Sequence, residues 1–425
     1  KSFLSKNFEI DPSSIPYNQD TLNLVKAYKK KGYKIIISTG AHKVFAEKIS
    51  NYIDSVDLII STGSVNNVGI NKLSILQKYL DDDFIYVGDS TKDFHVWNYC
   101  KKAIYVGNNK GIIKKINNSK IDLVNIIRSP KNSMFKLLKQ LRIYQWSKNL
   151  LIFLPIIASH NFFEKDIIIN SIKAFCSFSF LASSIYIFND IIDLEKDRIH
   201  PKKKNRPLAN GDISALAGFT LFGAFFISAF LVAISINIFS FSLALLYVLL
   251  NFFYSKYIKK ILMVDIIFLT MFYILRIMYG HLSTNISISV WLISFSFFLF
   301  LSLGVLKRYI DIKLLRGFES KLKNSIYKSK DEAILLPLGL SSGLISSLVL
   351  LLYVGSSNVQ KLYNTPMFLF LICPVFICWI CRIWILVDRE SIKDDPVLFA
   401  LKDLFSYVSI FIIVIIAIAA KLVNF

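Results

Sequence analysis

Three aspartates that follow an apolar run form the strongest chemical pattern in the sequence. Asp190, Asp193 and Asp197 are separated by three and four residues, a spacing that places all three carboxylates on one face of an α-helix. Clustered carboxylates repel one another and raise one another's pKa, so such a face requires a cation. Mg²⁺ prefers oxygen ligands and commonly shares a few carboxylates with substrate phosphates. We therefore expect these aspartates to bind Mg²⁺ jointly, and Asn189, four residues before Asp193, can join them.

A basic run follows the aspartates and offers positive charge to the same phosphates. It contains Arg198, Lys202, Lys203, Lys204 and Arg206. A solvated loop of mixed charge is the alternative interpretation of such a stretch. Because this run comes directly after an apolar segment of membrane-spanning length, the pattern favours a binding site.

The whole segment resembles a known motif. Residues 184–209 read S-I-Y-I-F-N-D-I-I-D-L-E-K-D-R-I-H-P-K-K-K-N-R-P-L-A, which is similar to the first aspartate-rich motif of the UbiA superfamily of membrane prenyltransferases. The resemblance is greatest to the branch that contains decaprenyl-phosphate phosphoribosyltransferase, and it extends over about 142–410. It implies that the three aspartates hold Mg²⁺ and a diphosphate donor, and that Arg198 and Arg206 contact the diphosphate oxygens.

Composition indicates a membrane protein. Hydrophobic residues make up 54% of the 425 residues and the mean hydropathy is +0.51, values typical of chains with many membrane spans. Five cysteines show no disulfide framework. From Leu150 onward we predict about nine spans from the lengths of the apolar segments. They lie near 150–160, 168–189, 214–234, 238–255, 262–280, 287–306, 333–355, 365–387 and 404–423.

The distribution of charge orients these spans. Lysine and arginine outnumber aspartate and glutamate by 50 to 29, and the excess lies in one set of loops. The positive-inside rule places those loops in the cytoplasm, with the N-terminal residues on the same side. We therefore expect a multi-pass protein of the plasma membrane with a cytoplasmic N-terminal domain. Since the basic residues lie at the membrane face, we expect no nucleic-acid partner.

Residues 1–128 predict a soluble α/β domain. Short β-rich runs at Tyr33–Ser38, Leu58–Ser61, Phe84–Val87 and Ala103–Val106 alternate with helical patterns at 41–53, 71–80 and 92–101. This alternation favours a parallel sheet with helices on its faces. Polar residues follow two of the strands, at the edge where open parallel sheets bind ligands.

This domain resembles the haloacid-dehalogenase-like (HAD-like) hydrolases. Thr39 matches the family's phosphate-binding threonine, Lys72 its charge-balancing lysine, and Asp89 and Asp93 its Mg²⁺-binding acidic pair in G-D-S-x-x-D. The nucleophile motif D-x-D-x-T is absent from the sequence. Because the first residue is Lys1, we expect that the start of the protein is missing, and either the missing part held the motif or the domain is inactive.

Residues 129–148 predict a linker and an amphipathic helix at the membrane interface. From Met134 to Trp146 the apolar residues recur at helical spacing, with basic residues off that stripe. The continuation L-R-I-Y-Q-W-S-K-N resembles the R-P-x-Q-W-x-K-N opening of the phosphoribosyltransferase branch. Arg142 and Lys148 are therefore candidate substrate contacts, with interfacial anchoring as the alternative. The transmembrane transferase domain would then occupy 149–425.

Ionisable residues within spans are expensive and usually face a cavity. Asp265 and Arg276 lie eleven residues apart in the predicted fifth span, so they share one helix face. This stretch resembles the family's Y-S-x-x-L-K…D/E…L-R-x-x-x-G pattern, with Lys259 at the family lysine, and implies a catalytic Asp265 and a substrate-binding Arg276. Pairing with neighbouring helices is the alternative.

The end of the sixth predicted span distinguishes branches of the family. Aromatic prenyltransferases carry a second aspartate-rich motif there, whereas this chain has Lys307, Arg308 and Tyr309. A basic pair can neutralise a second anionic substrate. The resemblance therefore implies phosphoribosyl transfer from phosphoribosyl diphosphate to polyprenyl phosphate. Prenyl transfer to an aromatic acceptor of the 4-hydroxybenzoate type is the alternative, and a transporter or a membrane-tethered phosphatase are the rivals from other classes.

Overall fold

A computed structural model describes residues 11–62, 66–81, 83–119, 121–128, 134–161, 163–200, 203–315, 326–391 and 396–423. The chain forms two compact units. The first contains the residues up to Arg142 together with Tyr186–Phe222, and the second contains Ile143–Ile185 and the residues from Gly223 onward.

Five strands and eighteen helices longer than three residues are described, besides 3₁₀ segments. The strands are β1 (Ile36–His42), β2 (Leu58–Thr62), β3 (Ile85–Gly88), β4 (Lys102–Val106) and β5 (Leu123–Ile127). The helices are α1 (Gln19–Lys30), α2 (Lys43–Ile53), α3 (Ile70–Leu76), α4 (Phe94–Trp97), α5 (Lys110–Asn117), α6 (Met134–Leu141), α7 (Leu154–Ser159), α8 (Lys165–Ile192), α9 (Leu194–Ile199), α10 (Ala215–Ile236), α11 (Ile238–Lys256), α12 (Val264–Thr284), α13 (Val290–Leu315), α14 (Glu332–Val354), α15 (Ser357–Leu362), α16 (Ile372–Asp388), α17 (Pro396–Ala400) and α18 (Leu404–Leu422).

The N-terminal part of the first unit is α/β with parallel strands, as the sequence predicts. The strands form two sheets, β1 with β2 and β3–β4–β5, and all pairs are parallel. A cavity of about 560 Å³ is lined by residues of β1 and β3. These two strands are not hydrogen-bonded to each other, so the single predicted sheet is wrong in this detail. Strand β5 and helices α1 and α5 were also not predicted.

The larger sheet packs on an aromatic core that requires a glycine. Trp97, Tyr105 and Ile116 are buried there, and β-branched and aromatic residues suit such pleated surfaces. Gly88 ends β3, where an added Cβ would lie 2.9 Å from both Asp93 and Trp97. A side chain at this position would push apart the turn that carries Asp93.

Eight helices in the described part of the chain are long and apolar enough to cross a membrane: Lys165–Ile192, Ala215–Ile236, Ile238–Lys260, Val264–Thr284, Val290–Leu314, Ser329–Val354, Pro366–Asp388 and Leu404–Leu422. They correspond to eight of the nine predicted spans. The first predicted span, near 150–160, is wrong.

The region of the missing span is short and irregular. Ile143–Phe153 form a 3₁₀ helix, and α7 has only six residues. His160 then ends α7 with a left-handed backbone, at φ 58°. A spanning helix needs about 20 apolar residues in one continuous α-helix, and neither piece provides them.

Close helix packing in the second unit depends on small residues. An added Cβ on Gly280 in α12 would lie 2.2 Å from the carbonyl oxygen of Ile152, and one on Gly339 in α14 would lie 2.1 Å from the Trp384 ring. Without Cβ atoms at these positions the backbone of Ile152 and the ring of Trp384 approach the helices closely, and small residues commonly allow such approach in membrane proteins. Two charged residues, Asp265 and Arg276, are buried in this unit and therefore need polar partners.

Candidate functional site

The aspartates lie where the long helix α8 passes into the short helix α9. Asp190 belongs to α8, Asp193 lies at the junction and Asp197 belongs to α9. Helical hydrogen bonds continue across the junction, from the Asp193 amide to the Asn189 carbonyl at 2.9 Å and from the Asp197 amide to the Asp193 carbonyl at 2.8 Å. Asp190 and Asp197, two helical turns apart, are 3% and 2% exposed.

Both buried carboxylates contact one guanidinium. Arg206 donates from one nitrogen to Asp190 Oδ1 at 2.9 Å and to Asp197 Oδ2. Arg142 donates to the same Asp190 oxygen at 2.5 Å, and Gln140 donates to the other at 3.0 Å. We call these five residues, Gln140, Arg142, Asp190, Asp197 and Arg206, the aspartate cluster.

Arg142 is held in an unusual backbone conformation. It follows the last residue of α6 and has a φ of 52°, a left-handed value that is uncommon for residues other than glycine. Its guanidinium lies over the Tyr186 ring, 4.9 Å from the ring centroid. Residues in such sparsely populated conformations are concentrated at functional sites, where the surrounding contacts maintain them.

The aspartate cluster and its neighbour Lys203, whose ammonium lies 3.6 Å from Asp197, contain more cations than carboxylates. Arg142, Lys203 and Arg206 contact Asp190 and Asp197, which leaves one formal positive charge in excess. An excess of positive charge beside buried carboxylates suits an anionic ligand such as a diphosphate.

The third predicted metal ligand is not part of this arrangement. The side chain of Asp193 is 44% exposed and lies 4.0 Å from Lys196, and Asn189 is half-buried. Asp193 lies at the junction where α9 begins, and joint binding of Mg²⁺ by all three aspartates stays a prediction. Within the described ranges, no group of three or more His, Cys, Asp or Glu side chains is close enough to hold a metal ion.

The two buried carboxylates nevertheless fit a divalent cation. They already share a cation, the Arg206 guanidinium, so the space between them favours positive charge. Two carboxylates completed by substrate phosphates are a typical Mg²⁺ environment, in which only part of the ligand set comes from protein.

Other basic residues of this segment and of α6 contact backbone carbonyls or a carboxylate outside the aspartate cluster. Arg198 donates to the carbonyl of Ala209 at 3.3 Å, and burial lowers its pKa from the ordinary value. In α6, Lys136 contacts Asp212 at 2.5 Å and Lys139 donates to the Asn205 carbonyl at 3.3 Å. These contacts fix the helix that carries Gln140. Lys202 lies outside the described residues.

In the second unit, Asp265 at the start of α12 is completely buried. It accepts hydrogen bonds from Arg308 Nε at 2.7 Å and from the Tyr327 hydroxyl at 2.5 Å. Arg308 also contacts Asp311 at 3.0 Å and Tyr254 at 3.3 Å. Burial and the hydrogen bond to Asp265 raise the pKa of Tyr327, so this tyrosine remains a donor. Asp265 and Arg308, predicted to act on substrates, therefore form an ion pair with each other.

Arg276 lies three turns further along α12 and is 5% exposed. Its guanidinium donates to Asn149 at 2.9 Å and to the Tyr247 hydroxyl at 3.4 Å. The rings of Phe178, Tyr247 and Tyr273 lie between 5.2 and 5.7 Å from it. It also donates to the Phe272 carbonyl, and no carboxylate of a described residue pairs with this charge.

The other predicted substrate residues of the second unit are dispersed. Tyr309 is buried and donates to Asp388 at 2.7 Å, and Lys313 contacts the same carboxylate at 2.9 Å. This arrangement joins the ends of α13 and α16 and gives Tyr309 a structural contact. Lys259 is exposed, and Lys148 and Lys307 are half-buried.

The α/β domain contains a second polar cluster. Asp93 accepts hydrogen bonds from the Tyr86 hydroxyl at 2.8 Å and from the Ser90 amide at 3.0 Å, and Lys72 Nζ lies 3.3 Å from it. Burial opposes ionisation of Asp93, but these contacts outweigh it and lower its pKa. Asp89 is exposed. Two of the four predicted residues, Lys72 and Asp93, are thus in contact.

Thr39, the fourth predicted residue of this domain, lies in β1 and accepts a hydrogen bond from the Ala41 amide at 3.1 Å. Its backbone carbonyl accepts from the buried side chain of Asn67 at 3.1 Å. Residues 1–10, where the sequence contains no nucleophile motif, lie outside the described residues.

Three residues of these sites were missed in the sequence. Gln140 lies two residues before Arg142, and Tyr86 lies three residues before Asp89. Tyr327 lies between the sixth and seventh predicted spans. Gln140 could have been found, because it is the one uncharged polar side chain in α6. Tyr86 and Tyr327 have no such signal, since tyrosine is common in strands and at membrane interfaces.

Known proteins are similar to both the α/β part and the helical part of the chain. The model of the UbiA prenyltransferase family matches residues 155–417. An uncharacterised protein, y4nM of Sinorhizobium fredii, is 29% identical over 407 residues, which is 95% of this chain and 79% of that protein. That relative therefore shares the α/β part as well as the helical part.

Two further relatives bear on the helical part. Decaprenyl-phosphate phosphoribosyltransferase of Corynebacterium glutamicum is 33% identical over 210 residues, 46% of this chain and 60% of that protein. A UbiA homologue of Archaeoglobus fulgidus, solved bound to DMAPP and Mg²⁺, superposes with a TM-score of 0.51 at 16% identity, over 68% of this chain and 100% of that one. The predicted helical fold of this superfamily is confirmed by these matches.

Proposed function

The chain belongs to the UbiA prenyltransferase family, and from this premise we propose that it transfers a phosphoribosyl group from phosphoribosyl diphosphate to a polyprenyl phosphate. Mg²⁺ is the proposed cofactor, and the reaction takes place in a multi-pass membrane domain. The aspartate cluster and its neighbour Lys203 are the observation that carries the proposal, because they combine two buried carboxylates with three cations.

The cluster's residues have distinct roles in the proposed reaction. Asp190 and Asp197 would hold Mg²⁺, which when bound neutralises charge on the leaving pyrophosphate. Arg142 and Arg206 contact the diphosphate oxygens, and Lys203 adds charge nearby. Guanidinium groups are suited to this role because their planar donors match phosphate oxygens in pairs.

Bond changes in the proposed reaction need no covalent intermediate with the enzyme. The bond between ribose C1 and the pyrophosphate oxygen breaks, and C1 develops oxocarbenium character. An oxygen of the polyprenyl phosphate then forms the new bond to C1, and pyrophosphate leaves with the electron pair. The chain's contribution is to hold two anionic substrates in contact, which requires fixed cations to offset their repulsion.

Two observations favour the phosphoribosyl donor over a prenyl donor. The curated relatives named decaprenyl-phosphate phosphoribosyltransferase include one that is 33% identical to this chain. In addition, Lys307, Arg308 and Tyr309 stand where an aromatic prenyltransferase would have a second aspartate-rich motif. Arg276, a buried cation without a described carboxylate partner, is a candidate contact for an anionic group in the second unit.

Ion pairing modifies the proposed role of the basic pair. Arg308 contacts two carboxylates, Asp265 and Asp311, so its charge is largely compensated. We therefore assign recognition of the lipid phosphate to Lys307, and the positioning of α13 relative to α12 to Arg308 and Asp265.

For the α/β domain we propose a HAD-like ancestry and a phosphate-binding role without hydrolysis in this chain. The support is the contact between Lys72 and Asp93 at the carboxyl end of β3, with Thr39 in β1. The distribution of basic loops supports a cytoplasmic location for this domain, on the inner face of the plasma membrane.

The test of the proposed function is a comparison of donors. Membranes that contain the full chain are incubated with polyprenyl phosphate, Mg²⁺ and ribose-labelled phosphoribosyl diphosphate, and the lipids are extracted. We expect label in the lipid fraction. Transfer of a prenyl group to 4-hydroxybenzoate, with no ribose label in lipid, would instead assign the protein to the aromatic prenyltransferases.

A further inference from the structure

Gln140 carries a buried acceptor that the protein does not use. Its side chain is 1% exposed, and its Nε2 donates to Asp190 Oδ2 at 3.0 Å. A carboxylate oxygen can only accept, so this contact fixes which end of the amide is nitrogen. The other end, Oε1, is buried and has no hydrogen-bond partner among the described residues.

An unsatisfied acceptor at this position is costly. Buried polar side-chain atoms in proteins are almost always hydrogen-bonded, and those that are not require an explanation. The amide cannot turn over to satisfy Oε1, because it would then place an oxygen against the Asp190 carboxylate. Both arginines of the cluster already donate to carboxylates. A bound ligand that carries a donor would satisfy Oε1.

The charge of the cluster indicates what kind of donor this is. The cluster itself is neutral, with Arg142 and Arg206 against two aspartates, and the neighbouring Lys203 adds one positive charge, which favours an anionic ligand. A hydroxyl of an anionic ligand can donate such a hydrogen bond to a neutral amide oxygen. Phosphoribosyl diphosphate has free ribose hydroxyls, whereas a prenyl diphosphate has none.

We propose that Gln140 Oε1 accepts a hydrogen bond from a hydroxyl of the donor's sugar and thereby selects a sugar diphosphate over a prenyl diphosphate. This inference rests on the proposed function and adds a specificity-determining residue to it. Sites that hydrogen-bond a substrate hydroxyl discriminate strongly against analogues that lack it, because the buried protein group is then left without a partner.

Binding of three ligands to the purified full chain tests this proposal. In the presence of Mg²⁺, dissociation constants are measured for phosphoribosyl diphosphate, for inorganic pyrophosphate and for dimethylallyl diphosphate. The two organic ligands are each compared with pyrophosphate, which has the charge without the hydroxyls. We expect the wild type to prefer phosphoribosyl diphosphate to dimethylallyl diphosphate.

Two variants separate hydroxyl recognition from support of Asp190. Gln140→Met removes both ends of the amide, whereas Gln140→Lys keeps a donor for Asp190 and removes the acceptor. We expect both variants to lose roughly tenfold in the preference, the value of one hydrogen bond to a neutral group. Lys139→Met, on the same helix, changes the charge and is expected to leave the preference unaltered.

Each other outcome has a defined meaning. A wild-type preference that survives in Gln140→Lys but not in Gln140→Met would show that Gln140 only supports Asp190, and would overturn the inference while the proposed function stands. A preference that survives in both variants has the same consequence. A wild type without the preference would overturn the inference and the phosphoribosyl donor together.

Discussion

Replacement of Arg206 by methionine examines the electrostatics of the aspartate cluster directly. The guanidinium contacts both Asp190 and Asp197, whose side chains are 4% and 2% exposed. Removing one partner of a buried ion pair costs about 3–5 kcal/mol when the remaining charge is left without compensation, whereas here Arg142 and Lys203 still contact the two carboxylates. Arg206 is itself 30% exposed, so we expect the lower end of this range, about 3 kcal/mol.

The loss should appear in thermal unfolding. For a unit of 150–250 residues, about 3 kcal/mol corresponds to a fall in Tm of roughly 6 to 12 °C. Mg²⁺ should restore most of the loss in Arg206→Met, because two carboxylates without their shared guanidinium bind a divalent cation more tightly. The assay is the Tm of the purified chain in detergent as Mg²⁺ is titrated from zero to millimolar concentrations, without substrate.

Arg198→Met is the matched control for this experiment. Arg198 lies in the same segment but donates only to the Ala209 carbonyl, so its loss should lower the Tm slightly and leave the Mg²⁺ response as in the wild type. The reasoning is refuted if Arg206→Met unfolds at the wild-type temperature, or if Mg²⁺ raises the Tm of the two variants equally.

Three further predictions concern other parts of the chain. Contacts lower the pKa of Asp93 in the folded state, so its ionised form stabilises the α/β domain above the unfolded pKa of about 3.9. This stabilisation is lost as the pH falls through the lower folded pKa. Asp93→Asn should therefore reduce the fall of the Tm at acid pH, when the Tm is measured as a function of pH. Tyr327→Phe removes a buried donor to Asp265 and should cost about 1–3 kcal/mol, whereas Tyr257→Phe, at an exposed ring, should cost little in the same unfolding assay. A shortened chain that begins at Ser133 should retain lipid-linked transfer, measured in membranes, because we expect the α/β domain to be an accessory that can be removed; a correctly inserted but inactive chain would show that the two parts share a site.

Much of the helical architecture could be predicted from the sequence, because membrane spans have a strong signal in length and hydropathy. Eight helices of spanning length occur where apolar segments predict them. The remaining predicted span, near 150–160, is wrong, because hydropathy does not detect that this segment forms a 3₁₀ helix and a short α-helix that ends at the left-handed His160. In the α/β domain the positions of four strands along the chain could be predicted, but the separation of β1 from β3 depends on tertiary packing.

The sequence identified many residues of the candidate site, but not how they are arranged. Regular helical spacing predicts Asp190 and Asp197 on one face, and both contact Arg206, whereas the Asp193 side chain at the junction between α8 and α9 is 44% exposed. Spacing alone also cannot identify partners from distant segments. Gln140 and Arg142 reach Asp190 across about fifty residues of sequence, and Tyr327 reaches Asp265 across 62. Such contacts become visible only when the chain is folded.

The central claim is that the aspartate cluster performs lipid-linked phosphoribosyl transfer. The most direct test is the initial rate at which label from ribose-labelled phosphoribosyl diphosphate enters polyprenyl phosphate, measured for the purified wild type and for Asp190→Asn side by side. We predict transfer by the wild type and a loss of at least about a hundredfold in the variant, as expected when a charged group that stabilises the transition state is removed. Transfer by Asp190→Asn within a few-fold of the wild-type rate would contradict the account.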